Sequence, residues 1–543
     1  MLCGKPLYIG VIVLLAQSVF VGPAWAEVQE ETQVALDITA NQNWVSGPGA
    51  AQSTLSVDRH FSSDFSYSYQ RTDGYKISTF SFHGRGTDDR SIDSQTWSLS
   101  NLDYGWSDKS RRFTLGDVMA DFSTYSLSGS LKGASFNFNP SSSQSGQIRK
   151  PEINLVYGVS YPRWENFWGG ADHKAIKRMV SGVNLRQSIS DKADFGVSVV
   201  RTGDSPRLAN WDELLHNNVY SFNWELRPQE RITFKGESAF SNTTKSPSQG
   251  VTDEHSTGRA HHFSFNKESH RRKWSYEYEL VTPNFNSPLG SAITDQERMK
   301  FNWTSTMSPD FSMNAGIAWY RNKLDGSSQP YRTDMYQPEL TFSFTAPFAR
   351  EDATLDFGMR LDRRYGGGIS TFDRLLTAAY RDTFGKVDAD ISLDYAIADT
   401  APYDYGIKNK DLAFNITLGT SIKNKTYILN PTLNVSYTRN SDVLNHYRDR
   451  MFEAALGMGY ERPQDNLSIN LKVGRNQNLR QVTPDSGKWF TSLRVEAQPK
   501  YLKMFNQNAK QYLEVNVNTY KFDDTGNNYR ETSLITGVRL EFS

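Results

Sequence analysis

Apolar and polar residues alternate along most of this chain, and that pattern constrains the fold more than any other feature. In the segment 274–280, Trp, Tyr and Leu alternate with Ser and Glu, and the segments 387–395 and 467–473 follow the same rule. A side-chain period of two predicts β-strands with one apolar and one polar face. The runs extend over about 9–13 residues, whereas strands in globular proteins usually have about five or six.

Strands of this length suit a lipid bilayer. A tilted strand of about 9–11 residues crosses the hydrocarbon, and a sheet in lipid must close because lipid cannot satisfy a free edge. Short links such as 190–192 and 462–465 alternate with longer ones such as 161–177, as periplasmic turns alternate with extracellular loops. The sequence therefore predicts an all-β fold: a single large antiparallel transmembrane β-barrel of about 24–26 strands, with 26 preferred.

Residues 1–26 have the features of an export signal. Lys5 is basic, the run 8–22 is mostly apolar, and the cleavage site is Ala24-Trp25-Ala26. We therefore expect a signal peptide, 1–26, followed by an outer-membrane β-barrel, 27–543. The sole cysteine, Cys3, lies in the signal, so the mature chain excludes disulfides, thiolate metal sites and cysteine catalysis.

The signal, the alternating strands and the C-terminal segment resemble Gram-negative outer-membrane β-barrel proteins of the porin or export-channel type. That segment reads Val538-Arg539-Leu540-Glu541-Phe542-Ser543. The resemblance implies a place in the cell outer membrane, contact with its lipid, and recognition of the last strand by the barrel-assembly machinery. A second, shorter resemblance, within 112–136, is to an early hairpin of pilus ushers. It comprises Arg112-Phe113-Thr114-Leu115-Gly116-Asp117, a loop, and Leu131-Lys132-Gly133-Ala134-Ser135-Phe136.

The sequence favours a passage over an enzyme. The motifs H-E-x-x-H, G-x-S-x-G and the phosphate-binding glycine loop are absent, so we expect no catalytic residue, cofactor or metal site. Basic and acidic residues number 60 each, so no net charge attracts nucleic acid as a partner. The candidate lumen-lining residues are Glu277, Glu279, Asp356, Arg360, Asp362, Asp388, Asp390, Asp394 and Lys472.

One aromatic link is a candidate for ligand contact. Arg163, Trp164 and Trp168 lie in the link 161–177. Aromatic rings stack on sugar faces and Arg binds anionic groups, so these side chains could contact a glycan. The alternative is an aromatic girdle combined with packing of the loop.

Three functions remain open from the sequence. A barrel of this size is wider than aqueous porins of about 16–18 strands, which favours an export or secretion channel for a polymer, either polysaccharide or protein, served by a periplasmic export partner. A general diffusion porin is the simpler alternative. The third is a surface receptor or a barrel filled by a partner, without transport. The usher's plug and flanking domains have no room here, so loops or a partner would have to occupy the lumen.

Overall fold

The computed structural model describes residues 28–55, 57–140, 150–161, 163–164, 177–204, 213–247, 252–322, 332–401, 408–481, 485–499, 502 and 509–542. Most of them belong to one antiparallel β-sheet. Within these ranges, no helix is long and apolar enough to span a membrane. The predicted signal peptide and Trp168 lie outside the described residues.

The strands follow one another along the chain, with brief 3₁₀ turns between some of them. The strands are β1 (Val28–Ser46), β2 (Arg59–Asp73), β3 (Lys76–Thr87), β4 (Trp97–Ser107), β5 (Arg111–Ser123), β6 (Leu127–Phe138), β7 (Glu152–Ser160), β8 (Arg178–Ser190), β9 (Ala193–Asp204), β10 (Glu213–Gln229), β11 (Ile232–Pro247), β12 (Glu254–Glu268), β13 (Arg272–Val281), β14 (Gln296–Ser308), β15 (Phe311–Asn322), β16 (Thr333–Thr345), β17 (Thr354–Gly366), β18 (Ile369–Phe384), β19 (Val387–Ala401), β20 (Lys408–Thr420), β21 (Ile422–Lys423), β22 (Ile428–Asp442), β23 (Tyr447–Arg462), β24 (Leu467–Leu479), β25 (Ser486–Ala497), β26 (Lys510–Phe522) and β27 (Tyr529–Phe542). The 3₁₀ turns are Ala50–Gln52, Pro347–Ala349, Pro463–Asp465 and Thr525–Asn527.

The first and last strands close the sheet into a barrel. β1 pairs with β27 from Val34–Phe542 to Ser46–Arg530. The two-residue β21 only extends the pairing at the start of β22, so the closed barrel has 26 strands. This confirms the predicted fold class and the preferred strand count.

The strand register separates an apolar face from a polar one. Trp274 lies opposite Trp303, and Leu393 lies opposite Phe414, all on one face. The rings of Trp274 and Trp303 are 5.9 Å apart. In an outer-membrane barrel the apolar face meets lipid and the polar face meets the lumen.

Most links at one rim are shorter than most links at the other, with 139–151, 367–368 and 498–509 as exceptions. One rim carries the start of β1, the end of β27 and turns as short as 74–75, 191–192 and 230–231. The opposite rim carries longer links such as 88–96 and 282–295. Short turns and the chain ends mark the periplasmic rim, so the longer links are extracellular.

A β-bulge interrupts β4 where the alternation changes phase. His83 of β3 pairs with Asn101, whereas the next residue, Gly84, pairs with Leu99. Ser100 is therefore the extra residue, and the local twist increases there. The phase change between Trp97-Ser98-Leu99 and the following residues predicts this bulge, and the register confirms it.

Candidate functional site

The tip of the β5–β6 hairpin leaves the barrel wall. β5 pairs with β4 up to Gly116, and β6 pairs with β7 from Lys132 onward. Beyond these points β5 and β6 pair with each other as far as Ser123 and Leu127. We call the segment 117–131 the inward hairpin. The sequence-based expectation of a loop here was wrong, because both strands continue almost to the turn.

Glycines at the base of the inward hairpin allow the bend. Gly116, Gly133 and Gly158 lie opposite one another on β5, β6 and β7. Gly116 has a φ of 109°, and a Cβ there would lie 2.1 Å from the carbonyl oxygen of Leu102. A Cβ at Gly133 would lie 2.2 Å from the carbonyl oxygen of Tyr157. A larger residue at Gly116 or Gly133 would therefore prevent the close approach of these strands.

The inward hairpin packs on the polar face of the wall, and therefore inside the barrel. Val118, Ala120, Leu127 and Leu131 of the hairpin form one buried cluster with residues of β7, β8 and β9, which are Val156, Val180 and Val200. These three valines share their faces with polar residues such as Asn154, Asn184 and Ser198. Met119 lies on the other side of the hairpin and is 80% exposed. The hairpin thus narrows one side of the lumen.

Tyr125 anchors the tip of the hairpin to the wall. Its side chain is fully buried, and its hydroxyl donates a hydrogen bond to Glu279 Oε1 at 2.7 Å. Its backbone N–H donates to Glu237 Oε1 at 3.1 Å. The hydroxyl oxygens of Ser123 and Ser221 are 3.0 Å apart. The tip is therefore bound to the polar faces of β10, β11 and β13.

The extracellular link 282–295 covers the tip from the other side. The N–H of Ser128 donates to the carbonyl of Leu289 at 2.8 Å, and the N–H of Ser291 donates to the carbonyl of Thr124 at 2.9 Å. Phe285 of this link contacts the Tyr125 ring, with centroids 5.9 Å apart. The inward hairpin is thus held between the wall and an extracellular loop.

Asp117 stabilises the base of the hairpin, where β5 leaves β4. Its Oδ2 accepts hydrogen bonds from the Leu102 N–H at 2.7 Å and from Trp164 Nε1–H at 2.6 Å. Asp117 also forms an ion pair with Lys132, whose ammonium lies 5.3 Å from the Trp164 ring centroid. β5 no longer pairs with β4 at Leu102. The Asp117 carboxylate therefore accepts the Leu102 N–H in place of a backbone carbonyl of β5.

A second contact joins two extracellular links above this base. Arg163 Nη1 lies 2.6 Å from Asp93 Oδ1. Desolvation opposes ionisation of Asp93, but the Gln95 N–H and the Arg163 guanidinium outweigh it and hold the pKa of Asp93 below its usual value. Arg163 and Trp164 are therefore engaged within the chain. Their contact with a ligand stays a prediction, and Trp168 lies outside the described residues.

The predicted lining residues lie on the polar face. The strand register assigns them as follows: Glu277 and Glu279 on β13; Asp356, Arg360 and Asp362 on β17; Asp388, Asp390 and Asp394 on β19; and Lys472 on β24. Their part in lining an open passage stays a prediction.

Two arginines that the sequence analysis did not select neutralise part of this acidic surface. Arg381 on β18 lies 3.2 Å from Asp390 and 4.0 Å from Asp356. Arg298 on β14 pairs with Glu279 and lies 3.8 Å from Glu277. The strand register brings these charges together, and the alternation of residue types along one strand does not reveal such pairs.

The closed sheet, its apolar exterior and its polar interior define a β-barrel protein of the cell outer membrane. Solved structures with a similar fold include the P pilus usher (PapC) translocation pore, at 9% identity over 94% of this chain and 99% of that chain, with a TM-score of 0.40. The outer membrane transporter YddB from Escherichia coli matches at 8% identity over 94% and 81% of the two chains, with a TM-score of 0.42. The siderophore receptor PirA from Pseudomonas aeruginosa matches at 11% identity over 94% and 80%, with a TM-score of 0.40.

These likenesses concern the fold alone. No family model and no curated protein sequence matches the chain. The short usher-like resemblance within 112–136 therefore stays a prediction.

Proposed function

We propose that this protein is an outer-membrane channel, rather than an enzyme, that exports or secretes a polymer, either polysaccharide or protein. The strand count is the observation that carries the proposal. Strands spaced about 4.8 Å apart and tilted about 40° would give a circular barrel of 26 strands a diameter of about 50 Å between backbones. Side chains and the inward hairpin occupy part of this width, but a barrel of this size is wider than small solutes require.

The inward hairpin restricts this passage in the proposed channel. It lies against the polar faces of β7 to β13, together with the link 282–295. Its tip is held by hydrogen bonds that contribute about 0.5–1.5 kcal/mol each, or about 1.5–3 kcal/mol where the acceptor is charged. A polymer supplied by a periplasmic export partner must displace the hairpin against these hydrogen bonds and against the burial of Leu127 and Leu131.

A reversible cross-link tests the restriction. The mature chain lacks cysteine, so Ser123→Cys with Ser221→Cys introduces one defined pair at positions whose hydroxyl oxygens are 3.0 Å apart. We expect the oxidised double variant to keep a low conductance in planar bilayers and to block polymer export, and a reductant to restore export. The single variant Ser123→Cys is the matched control.

Deletion of residues 118–131 provides the complementary measurement. This deletion leaves the pairing of β5 with β4 and of β6 with β7 intact, so the barrel can still close. We expect a larger single-channel conductance than in the parent protein. An unchanged, steady conductance would instead favour a diffusion porin, to which the mixed charges around Arg381 would be suited. An absence of conductance in both proteins would favour a barrel filled by a partner.

A further inference from the structure

Basic side chains cluster at the extracellular end of the apolar face. They lie on three neighbouring strands and the link after β24, and together line one groove. We call this set the basic cluster: Lys410, Arg439, Arg448, Arg450 and Arg480. Lys410, Arg448, Arg450 and Arg480 are exposed, and Arg439 is half-buried.

The register places the cluster just beyond the apolar side chains of the same strands, on their extracellular side. On β22 Arg439 shares its face with Val435 and Tyr437, and on β23 Arg450 precedes Phe452 on the same face. Lys410 precedes Leu412 and Phe414 on the same face of β20. The link 443–446 belongs to the rim opposite the chain ends. The four cations on strands therefore lie at the level of the outer-leaflet headgroups and point away from the lumen. Arg480 lines the same groove from the adjoining link.

The arrangement brings like charges together. Arg439 lies directly opposite Arg450 across β22 and β23, and Arg448 lies opposite Ser441 in the same pairing. Like charges directly opposite each other destabilise a sheet.

Asp442 and Asp485 also line the groove, and they accept hydrogen bonds from the backbone N–H groups of Leu444 and Arg480. Among the residues that the structure describes, neither carboxylate forms an ion pair within 4.0 Å with a side chain of the basic cluster.

Other cations at this rim have carboxylate partners. On the apolar face of β15 and β16, Arg321 lies 2.7 Å from Asp334. On β18 and β19, Arg374 lies 3.6 Å from Asp399. The basic cluster thus departs from the pattern of its neighbours, and an anion from outside the chain would remove its internal repulsion.

We propose that the basic cluster binds the phosphate groups of a phosphorylated glycolipid in the outer leaflet. Guanidinium groups bind phosphate oxygens through paired hydrogen bonds, and clustered basic residues at a membrane surface recognise anionic headgroups. The side chains of Leu412, Tyr437 and Phe452 lie below the cluster, where they contact the acyl chains. A lipid is the source of the phosphate because the groove opens on the lipid-facing side.

Binding of a defined glycolipid to the full barrel in detergent tests this assignment. The probes are bis-phosphorylated lipid A and the same lipid after removal of its phosphates, measured by native mass spectrometry. We expect Arg439→Gln with Arg450→Gln to weaken binding of the phosphorylated lipid by about tenfold or more. The matched control, Arg374→Gln, lies on the same face and rim and should bind as the parent does.

The double variant should remain folded, because the substitutions remove two like charges. Gel electrophoresis checks this, since a folded barrel changes its mobility when it is heated. If that variant fails to assemble, Arg448→Gln with Arg480→Gln replaces it. Equal binding by parent and double variant, or equal binding of both lipid forms, would overturn the assignment. Displacement of the lipid by millimolar inorganic phosphate would identify a soluble phosphate as the ligand instead.

Discussion

Single residues on the two faces of a wall strand should tolerate charge very differently. Ile469 lies opposite Val495 and Tyr460 on the apolar face, and Leu393 lies opposite Phe414. Leu393→Arg, in the middle of β19, should lower the free energy of unfolding by about 2–4 kcal/mol. Ile469→Arg, two residues inside the periplasmic end of β24, should cost less, about 0–1 kcal/mol, because it lies near the interface. Asn470→Arg, on the polar face, should have little effect. Urea titration in lipid measures this, and equal losses for the three variants would contradict the register.

Gly116 should be required for the bend of β5. Gly116→Ala places a Cβ at 2.1 Å from a carbonyl oxygen, in a backbone conformation with a φ of 109°. We expect the inward hairpin to lose its docked position, which slows disulfide formation between cysteines at 123 and 221. Gly129→Ala in the same hairpin is the control, because its Cβ would meet no atom within 4 Å. Similar oxidation rates in both variants would show that the bend tolerates a side chain.

The sequence predicts which residues share a face but not which residues meet. Alternation alone assigned Asp390 and Glu279 to the polar face, as the register has them. It did not reveal Arg381 beside Asp390, because that contact depends on how two strands align. Tyr125 lies 154 positions from Glu279 along the chain. The burial of Tyr125 depends on residues far away in the chain, so no pattern of neighbouring residues predicts it.

Among the elements, the inward hairpin departs furthest from the sequence-based expectation. The paired residues Gly116 and Gly133 could have marked the bend, since glycine within a strand often accompanies close backbone approach. The valines at 156, 180 and 200 were a second signal, because each is an apolar residue on a polar face. Neither signal identifies an inward fold without the three-dimensional structure.

The last strand should be indispensable for closure. β27 pairs with β1 through Val538–Ile38, Leu540–Leu36 and Phe542–Val34. Removing residues 538–543 eliminates these pairs and leaves part of β1 with a free edge, which lipid cannot satisfy. We expect no folded barrel in the outer membrane, measured by surface protease protection and gel mobility. Removal of Ser543 alone keeps every described pair of β27 and serves as control. Folded, membrane-inserted protein from the longer truncation would contradict this expectation.

For the whole molecule, alternation and link lengths together predicted a closed barrel and its strand count. Both follow from local rules, since the bilayer sets strand length and chain ends at one rim require an even number. The contents of the lumen follow from no such rule. The hairpin and the link 282–295 fold inward because a few glycines and small residues permit close packing, and this depends on the full three-dimensional structure.

Ion selectivity depends on the charges of the polar face taken together. Asp356, Asp362, Asp388, Asp390 and Asp394 share the wall of β17 to β19 with Arg360 and Arg381. Carboxylates along a pore favour cations, and we expect a weak cation preference because ions screen charges beyond about 8–10 Å. This distance is small beside a barrel about 50 Å across between backbones.

Replacing Asp388, Asp390 and Asp394 together by Asn should lower this preference. The change removes negative charge and leaves Arg381 with only its 4.0 Å contact to Asp356, because its 3.2 Å partner Asp390 is neutralised. The apolar face of β19 is unchanged, so the barrel should still assemble. Asp399→Asn, on the apolar face of the same strand, is the matched control and should leave selectivity as it is. Reversal potentials in a salt gradient measure the cation preference. They are recorded with and without the triple substitution, both in the full-length barrel and in the form lacking 118–131. Anion preference before the substitution, or an unchanged potential after it, would show that this wall does not line the conducting path.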